Sequence, residues 1–120
     1  MIEVMIQREK RTDAGGERFV PRSIVIEGHA GYADPGYDLV CAGVSAITLG
    51  IANAIVSLTG TDAVERIGKS GYLHFALPEH LDPIVEEKVI LLLEAMLVAL
   101  QAMAQEHGAY IQVNDSLEKS

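Results

Sequence analysis

The sequence has no tryptophan, only two phenylalanines and a single cysteine. Without a second cysteine the chain cannot form an internal disulfide, which excludes the disulfide-stabilised domains of secreted proteins. The first ten residues also lack the basic-then-apolar plan of a signal peptide, so we expect a cytoplasmic protein. Because aromatic residues make up only 5% while 49% of residues are hydrophobic, the predicted core is aliphatic.

Basic residues are scarce as well. The chain carries 9 Lys and Arg against 17 Asp and Glu, a net charge of −8. This balance excludes the positive surface that duplex nucleic acid requires. Residues 1–22 hold five basic and four acidic side chains, so nearly all of the negative charge lies in the rest of the chain. The acidic part suits either a basic peptide partner or simple solubility.

What is present is one domain of alternating strand and helix patterns, predicted over residues 1–115 with a frayed tail at 116–120. Period-two alternation predicts the strands, and spacings of three and four predict the helices. The predicted elements are strands 2–8 and 23–27 with a long connection 9–19, a loop 30–37, a helix from the N-cap Asp38 to about Leu58, strands 64–69 and 72–77, a helix 83–107 behind the N-cap Asp82, and a strand 110–113. The order β-β-α-β-β-α-β predicts an α+β fold, a mostly antiparallel sheet with two packed helices.

The two helices raise the question of what covers them. In the first, an apolar seam with small residues on the other faces predicts a helix enclosed by close neighbours; the seam is Val40, Val44, Ile47, Ile51, Ile55 and Leu58. The second would span about 37 Å and is apolar almost all round. Because Glu94 interrupts its apolar run, we expect no membrane span there. We predict a homodimer that buries part of the second helix; the alternative is a monomer whose sheet covers it.

Cys41 is the residue best placed for chemistry. If Asp38 caps the helix, Cys41 is the third helical residue, where free N–H groups and the helix dipole favour a thiolate. His29 lies 12 residues earlier, across the flexible loop, and is positioned to take the thiol proton. The alternative for a lone cysteine in an apolar helix is a small buried hydrophobe.

The residues near Cys41 in the sequence also have candidate roles, some of them structural. Ser45 and Thr48 continue a polar stripe from Cys41, and Ser45 would bond either near the sulfur or back to the helix carbonyl. Asp38 would act in the site, cap the helix, or both. Gly28 would let backbone or substrate approach closely.

Other chemistry has little support in the sequence. His74, His80 and His107 are predicted to be structural or solvated. One cysteine and no H-E-x-x-H pattern give no metal site. No phosphate-binding loop or dinucleotide fingerprint is present, so no cofactor is expected.

Two segments carry a family resemblance. Residues 28–30 read G-H-A and residues 36–45 read G-Y-D-L-V-C-A-G-V-S. Together they resemble the signature of the ribosomal-processing cysteine protease family, Prp, which is G-H-A, a short loop and G-x-D-x-V-C-A-x-V-S. One departure is the first hairpin, 9–19, which is longer than usual for the family.

The resemblance implies a cytoplasmic, homodimeric endopeptidase of α+β fold. It implies Cys41 as nucleophile and His29 as base, with Asp38, Ser45 and Gly28 in supporting roles. It further implies that the loop with Gly31, Tyr32 and Gly36 closes over the substrate. That substrate would be the precursor of a large-subunit ribosomal protein, of the L27 type, whose N-terminal extension is removed during ribosome assembly. Two alternatives stay open from the residues: a non-catalytic ribosome-associated peptide-binding module, and a thiol redox sensor.

Overall fold

The computed structural model of the chain describes residues 1–28, 35–68 and 71–116, with the backbone alone at 35–38. Its elements follow the predicted order, and the mostly antiparallel α+β architecture is confirmed. The five strands are β1 (Ile2–Asp13), β2 (Gly16–Glu27), β3 (Val64–Ile67), β4 (Leu73–Ala76) and β5 (Ile111–Asp115). The two helices are α1 (Pro35–Thr59) and α2 (Pro83–Glu106).

The strands form one sheet in the order β3-β4-β2-β1-β5. All pairs are antiparallel except β1 with β5, which run parallel from Ile2 opposite Ile111. Alternate residues of each strand are buried, beginning with Ile2, Val4 and Ile6 of β1, and the two helices pack on the face that these residues share. This arrangement places the end of β2 and the start of β4 beside the first turns of α1.

The predicted connection 9–19 is wrong, because those residues belong to the strands. β1 and β2 pair as far as Asp13 opposite Gly16, which leaves only Ala14 and Gly15 in the turn. The prediction failed because this end of the hairpin is polar on both faces and lies beyond the apolar core. Ion pairs hold it instead: Arg11 contacts Glu86 at 2.7 Å, and Arg18 contacts Glu87, both near the start of α2.

Helix α2 matches its prediction closely. The Asp82 carboxylate accepts a hydrogen bond of 2.9 Å from the Ile84 N–H, and Pro83 occupies the first helical position. One face is buried in the core, and the opposite face exposes large apolar side chains. Leu91 is 69% exposed and Val98 is 64% exposed.

Helix α1 is less enclosed than the sequence indicates. Val40, Val44 and Ile55 are buried as predicted, but Leu58, the last residue of the predicted seam, is exposed. The window Leu39–Thr59 has a mean hydropathy of 2.1 and is only 22% buried, so by length and composition alone it would suit a membrane span. The expectation failed because small residues permit close neighbours but do not supply them.

At the carboxyl end, Ser116 is attached to the sheet. Its hydroxyl oxygen accepts a hydrogen bond of 3.1 Å from the backbone N–H of Arg8. The rest of the predicted tail, 117–120, lies outside the described residues.

Candidate active site

Cys41 stands in the second turn of α1, as the seventh residue of the helix, and is half-buried. The helix begins at Pro35, so the prediction that Asp38 is the N-cap is wrong. Proline favours the first helical position because its φ is already helical and its missing N–H has no partner there to lose. The start of the helix is therefore one turn further from the sulfur than the sequence predicts.

This shift removes one predicted source of activation. The field of a helix end falls off within its first turn, and Cys41 lies beyond that turn. The N–H of a seventh helical residue is bonded to the carbonyl four residues earlier, so it is not a donor for an oxyanion. Activation of the thiol must come from a side chain, and the sequence offers His29 for that role.

A hollow of about 140 Å³ lies beside Cys41. From α1 it is lined by Cys41, Val44 and Ser45, and from the strands and their ends by Ile2, Ile26, Gly28 and Gly71. The structure therefore brings together three residues that the sequence selected separately: Cys41, Ser45 and Gly28. Gly28 also has the close packing expected of it, since a Cβ there would lie 2.9 Å from Cγ1 of Ile2.

The described residues do not include every predicted site residue. His29, Gly31 and Tyr32 lie outside the described residues, as does the side chain of Asp38. Gly36 belongs to the first turn of α1 and not to the predicted loop 30–37, because the helix starts at Pro35; its contact with substrate stays a prediction.

The predicted polar stripe on α1 divides in two. Thr48 is buried, and its hydroxyl donates a hydrogen bond of 2.9 Å to the carbonyl oxygen of Val44. Ser45 is exposed and lines the hollow beside Cys41. The Thr48 hydroxyl is thus satisfied within the helix and does not line the hollow beside Cys41, whereas Ser45 is accessible from that hollow.

A second hollow of about 170 Å³ continues from the first and shares Ile26, Val44, Ser45 and Gly71 with it. It extends to Leu49 of α1 and to Ile67 and Tyr72 beside the β3–β4 turn. The sequence does not single out these residues. Ile67 and Tyr72 reach this side of the sheet only because β4 pairs with β2, which is a long-range contact. Together the two hollows form a mostly apolar groove that begins at the thiol.

The other histidines are away from this groove. His74 contacts the hydroxyl of Ser23 through Nε2 at 2.9 Å, His80 is in an exposed loop, and His107 ends α2. Across the described ranges, no group of three or more His, Cys, Asp and Glu side chains is arranged to hold a metal ion.

Comparison with known proteins identifies the family. The family model "Cysteine protease Prp" matches residues 1–112 of the chain. The chain is 38% identical over 96 residues to the "Ribosomal processing cysteine protease Prp" of Bacillus subtilis, an alignment covering 79% of this chain and 86% of that one.

Solved structures agree with the sequence match. The fold is similar to a ribosomal processing protease Prp from S. aureus in complex with a substrate peptide, with a TM-score of 0.73 and 28% identity over 97% of this chain and 100% of that one. A second structure of that protease holds a covalently linked product peptide and gives a TM-score of 0.72 at 29% identity, with the same coverage. The chain, which carries its one cysteine at the mouth of an apolar groove, belongs to the Prp family of cysteine proteases.

Proposed function

We propose that this chain is an endopeptidase that removes the N-terminal extension of a large-subunit ribosomal protein, of the L27 type, during ribosome assembly. The observation that carries the proposal is the hollow in which Cys41, Ser45 and the glycine preceding His29 meet. The names of the relatives, which describe ribosomal processing, supply the substrate class. A protein of this kind works in the cytoplasm, where ribosomes are assembled.

The chemistry follows from a thiol and an imidazole. The substrate lies in the groove with its scissile carbonyl at the sulfur. His29 takes the proton of Cys41, and the thiolate adds to the carbonyl carbon. The tetrahedral intermediate collapses to a thioester as the amine leaves with the proton from His29. Water, deprotonated by His29, then cleaves the thioester and restores the thiol.

The groove fits an extended peptide better than a small solute. It is open along its length and mostly apolar, with Tyr72, Ile67 and Leu49 at the end away from the thiol. An apolar segment of the extension would bury its side chains there, while the acidic surface would attract the basic mature region that follows.

The function is tested by incubating the purified protein with the full precursor and measuring both products by mass spectrometry. We expect one cut, at the junction between extension and mature chain, and none with Cys41→Ala. A cut inside the mature region, no cut at all, or equal cleavage by Cys41→Ala would each contradict the proposal.

The role of His29 needs its own variant. We expect His29→Ala to lower kcat by at least about 10³-fold, as removal of a catalytic base commonly does. His80→Asn is the matched control, because it removes an exposed imidazole. The backbone of residue 80 has a φ of 63°, which asparagine tolerates. Equal activity of the two variants would remove His29 from the mechanism.

We also propose that the protein is a homodimer joined through its helices. Both helices expose large apolar side chains that a monomer leaves in water, among them Leu39 and Val56 of α1 and Ile84, Leu91 and Val98 of α2. Exposed apolar surface of this extent is typical of an interface.

Of the alternatives open from the sequence, the non-catalytic binding module and the redox sensor have no feature that favours them here. The binding module rests on the acidic part of the chain and the apolar second helix, both of which the protease proposal also uses, and the redox sensor rests on the single cysteine. Membership of a cysteine protease family accounts for the cysteine more directly.

A further inference from the structure

Gly71 packs against Gly28 at the end of β2, and Gly28 immediately precedes the candidate base His29 in the sequence. Its φ is +76°, and a Cβ at this position would lie 2.4 Å from the carbonyl oxygen of Gly28. The atom in the way is backbone, which cannot swing aside as a side-chain tip can. Any side chain at residue 71 would therefore displace the Gly28 peptide or itself.

Gly28 has equally little room on its other side. A Cβ at Gly28 would lie 2.9 Å from Cγ1 and 3.1 Å from Cα of Ile2. Ile2 is itself fixed, because it is buried and its N–H donates a 2.8 Å hydrogen bond to the carbonyl of Tyr110. The Gly28 peptide is thus held between Ile2 and Gly71, and the next residue in the chain is His29.

Conformation alone does not account for this glycine. Gly60 has nearly the same φ, +72°, yet a Cβ there would have no atom within 4 Å. At Gly60 glycine is favoured only by the positive φ, whereas at Gly71 it is also favoured because there is no space for a Cβ. Gly71 further lines both hollows of the groove, which Gly60 does not.

We propose that Gly71 is a positioning residue for the proteolytic reaction. By packing against the Gly28 carbonyl, Gly71 fixes the end of β2, which His29 follows in the sequence. It also lines the side of the groove opposite Ser45 and Cys41. The inference rests on the proposed role of His29 as the base. A side chain at residue 71 moves the base relative to the thiol and narrows the groove, while the fold away from the site stays as it is.

Gly71→Ala and Gly60→Ala form a matched pair for the test. Each places alanine at a φ near +75°, so both incur the same backbone strain, but only the first meets another atom. We expect Gly71→Ala to lower kcat on the precursor at least about tenfold and Gly60→Ala to stay within about twofold of the unsubstituted protein. Loss of the same fraction of activity in both variants would overturn the proposal.

A second measurement separates an effect on the position of the base from a general destabilisation of the fold. The rate of Cys41 alkylation by iodoacetamide, followed against pH, reports how much thiolate the neighbouring base supports. We expect the midpoint of this profile to move in Gly71→Ala, in the same direction as in His29→Ala, and to remain unchanged in Gly60→Ala. An unmoved midpoint in Gly71→Ala would contradict the proposal.

If Gly71→Ala does not fold, Ile2→Ala tests the same contact from the other side of Gly28. Its control is Ile6→Ala, which removes the same volume from the same strand four residues further on. We expect a lower kcat and a moved alkylation midpoint only for Ile2→Ala; equal behaviour of the two would overturn the inference. Failure of the proposed function is distinguishable, because His29→Ala would then match the unsubstituted protein in both readouts.

Discussion

Arg8 joins two acidic side chains beneath the hairpin. Its Nε donates to Oδ1 of Asp115 at 2.9 Å, and its Nη1 lies 2.6 Å from Oε1 of Glu94. The side chains of Arg8 and Asp115 are only 8% and 6% exposed. The hydrogen bond that Arg8 donates to the Asp115 carboxylate raises the pKa of the Arg8 guanidinium against the effect of burial, so the charge persists at any working pH. A buried carboxylate is costly unless it is paired, and Arg8 is what pairs it to β1.

Replacing this arginine tests the network. We expect Arg8→Gln to lower the free energy of unfolding by about 3–5 kcal/mol, because Asp115 keeps its buried charge and loses its arginine. The control is Lys10→Gln, which breaks the exposed pair of Lys10 with Glu17 and is expected to cost less than about 1 kcal/mol. Urea unfolding at a fixed protein concentration measures both, and equal losses would contradict the prediction.

A second ion pair makes the stability of the fold depend on pH in the acid range. The side-chain hydrogen bond from Arg18 lowers the pKa of Glu87. Since the unfolded chain then binds a proton more readily than the folded one, stability rises with pH through this range and is lost as pH falls through the folded pKa. We expect thermal unfolding between about pH 5 and 3 to change less steeply in Glu87→Gln than in the unsubstituted protein. An unchanged slope would show that the pair contributes nothing.

The residues of the candidate site could be selected from the sequence only in part. Spacing selected Cys41, Ser45 and Gly28, and the structure places them around one hollow. It also selected Thr48, which is buried, is bonded to Val44 and lines only the second hollow. A stripe of polar side chains does not show which members lie beside the thiol, because that depends on what packs against the helix.

At the scale of elements, the long helices were predictable and the first hairpin was not. The end of the hairpin is held by cross-strand and hairpin-to-helix ion pairs rather than by apolar alternation, so the hydropathy pattern carries no signal there. The sequence does contain a signal for the start of α1. Asp34 precedes Pro35 in the same way that Asp82 precedes Pro83, where the helix start was predicted correctly.

The exposed face of α2 leads to a prediction about assembly. Leu91 lies on an apolar stripe with Ala95 and Val98, and a lysine there would bring charge into the proposed dimer interface. We expect Leu91→Lys to shift sedimentation toward the 12.9 kDa monomer at micromolar concentration.

Gln105→Lys is its control, because it adds the same charge at an exposed polar position of the same helix. It is expected to sediment like the unsubstituted protein. A 12.9 kDa species for the unsubstituted protein itself would remove the dimer.

For the molecule as a whole, the α+β class followed from the order of elements, whereas the strand order did not. The parallel pairing of β1 with β5 and the placement of β4 beside β2 are long-range contacts with no local signature. The pairing of β4 with β2 helps to build the site because it brings Gly71 to Gly28, and β5 holds Ile2 on the other side of Gly28 through the carbonyl of Tyr110. The sequence predicts a turn at Ser70-Gly71 but does not indicate which strand lies beside it.

The overall charge predicts how the protease responds to salt. With a net charge of −8 and a proposed basic substrate, attraction between the two is screened as ionic strength rises. We expect KM for the precursor to increase several-fold between about 0.05 and 0.5 M salt while kcat stays nearly constant. A precursor whose basic tail residues are replaced by glutamine should lose this dependence, and a KM that is unaffected by salt for the natural tail would contradict the charge argument.

We propose that Cys41 carries the acyl group during cleavage. The most direct test of this proposal mixes the protein with the precursor, quenches the reaction in acid within one turnover, and locates the added mass by peptide mapping. We expect an adduct with the mass of the N-terminal extension, attached through Cys41, and neither adduct nor product in Cys41→Ala. An acyl group on any other residue, or cleavage by Cys41→Ala at the unsubstituted rate, would contradict it.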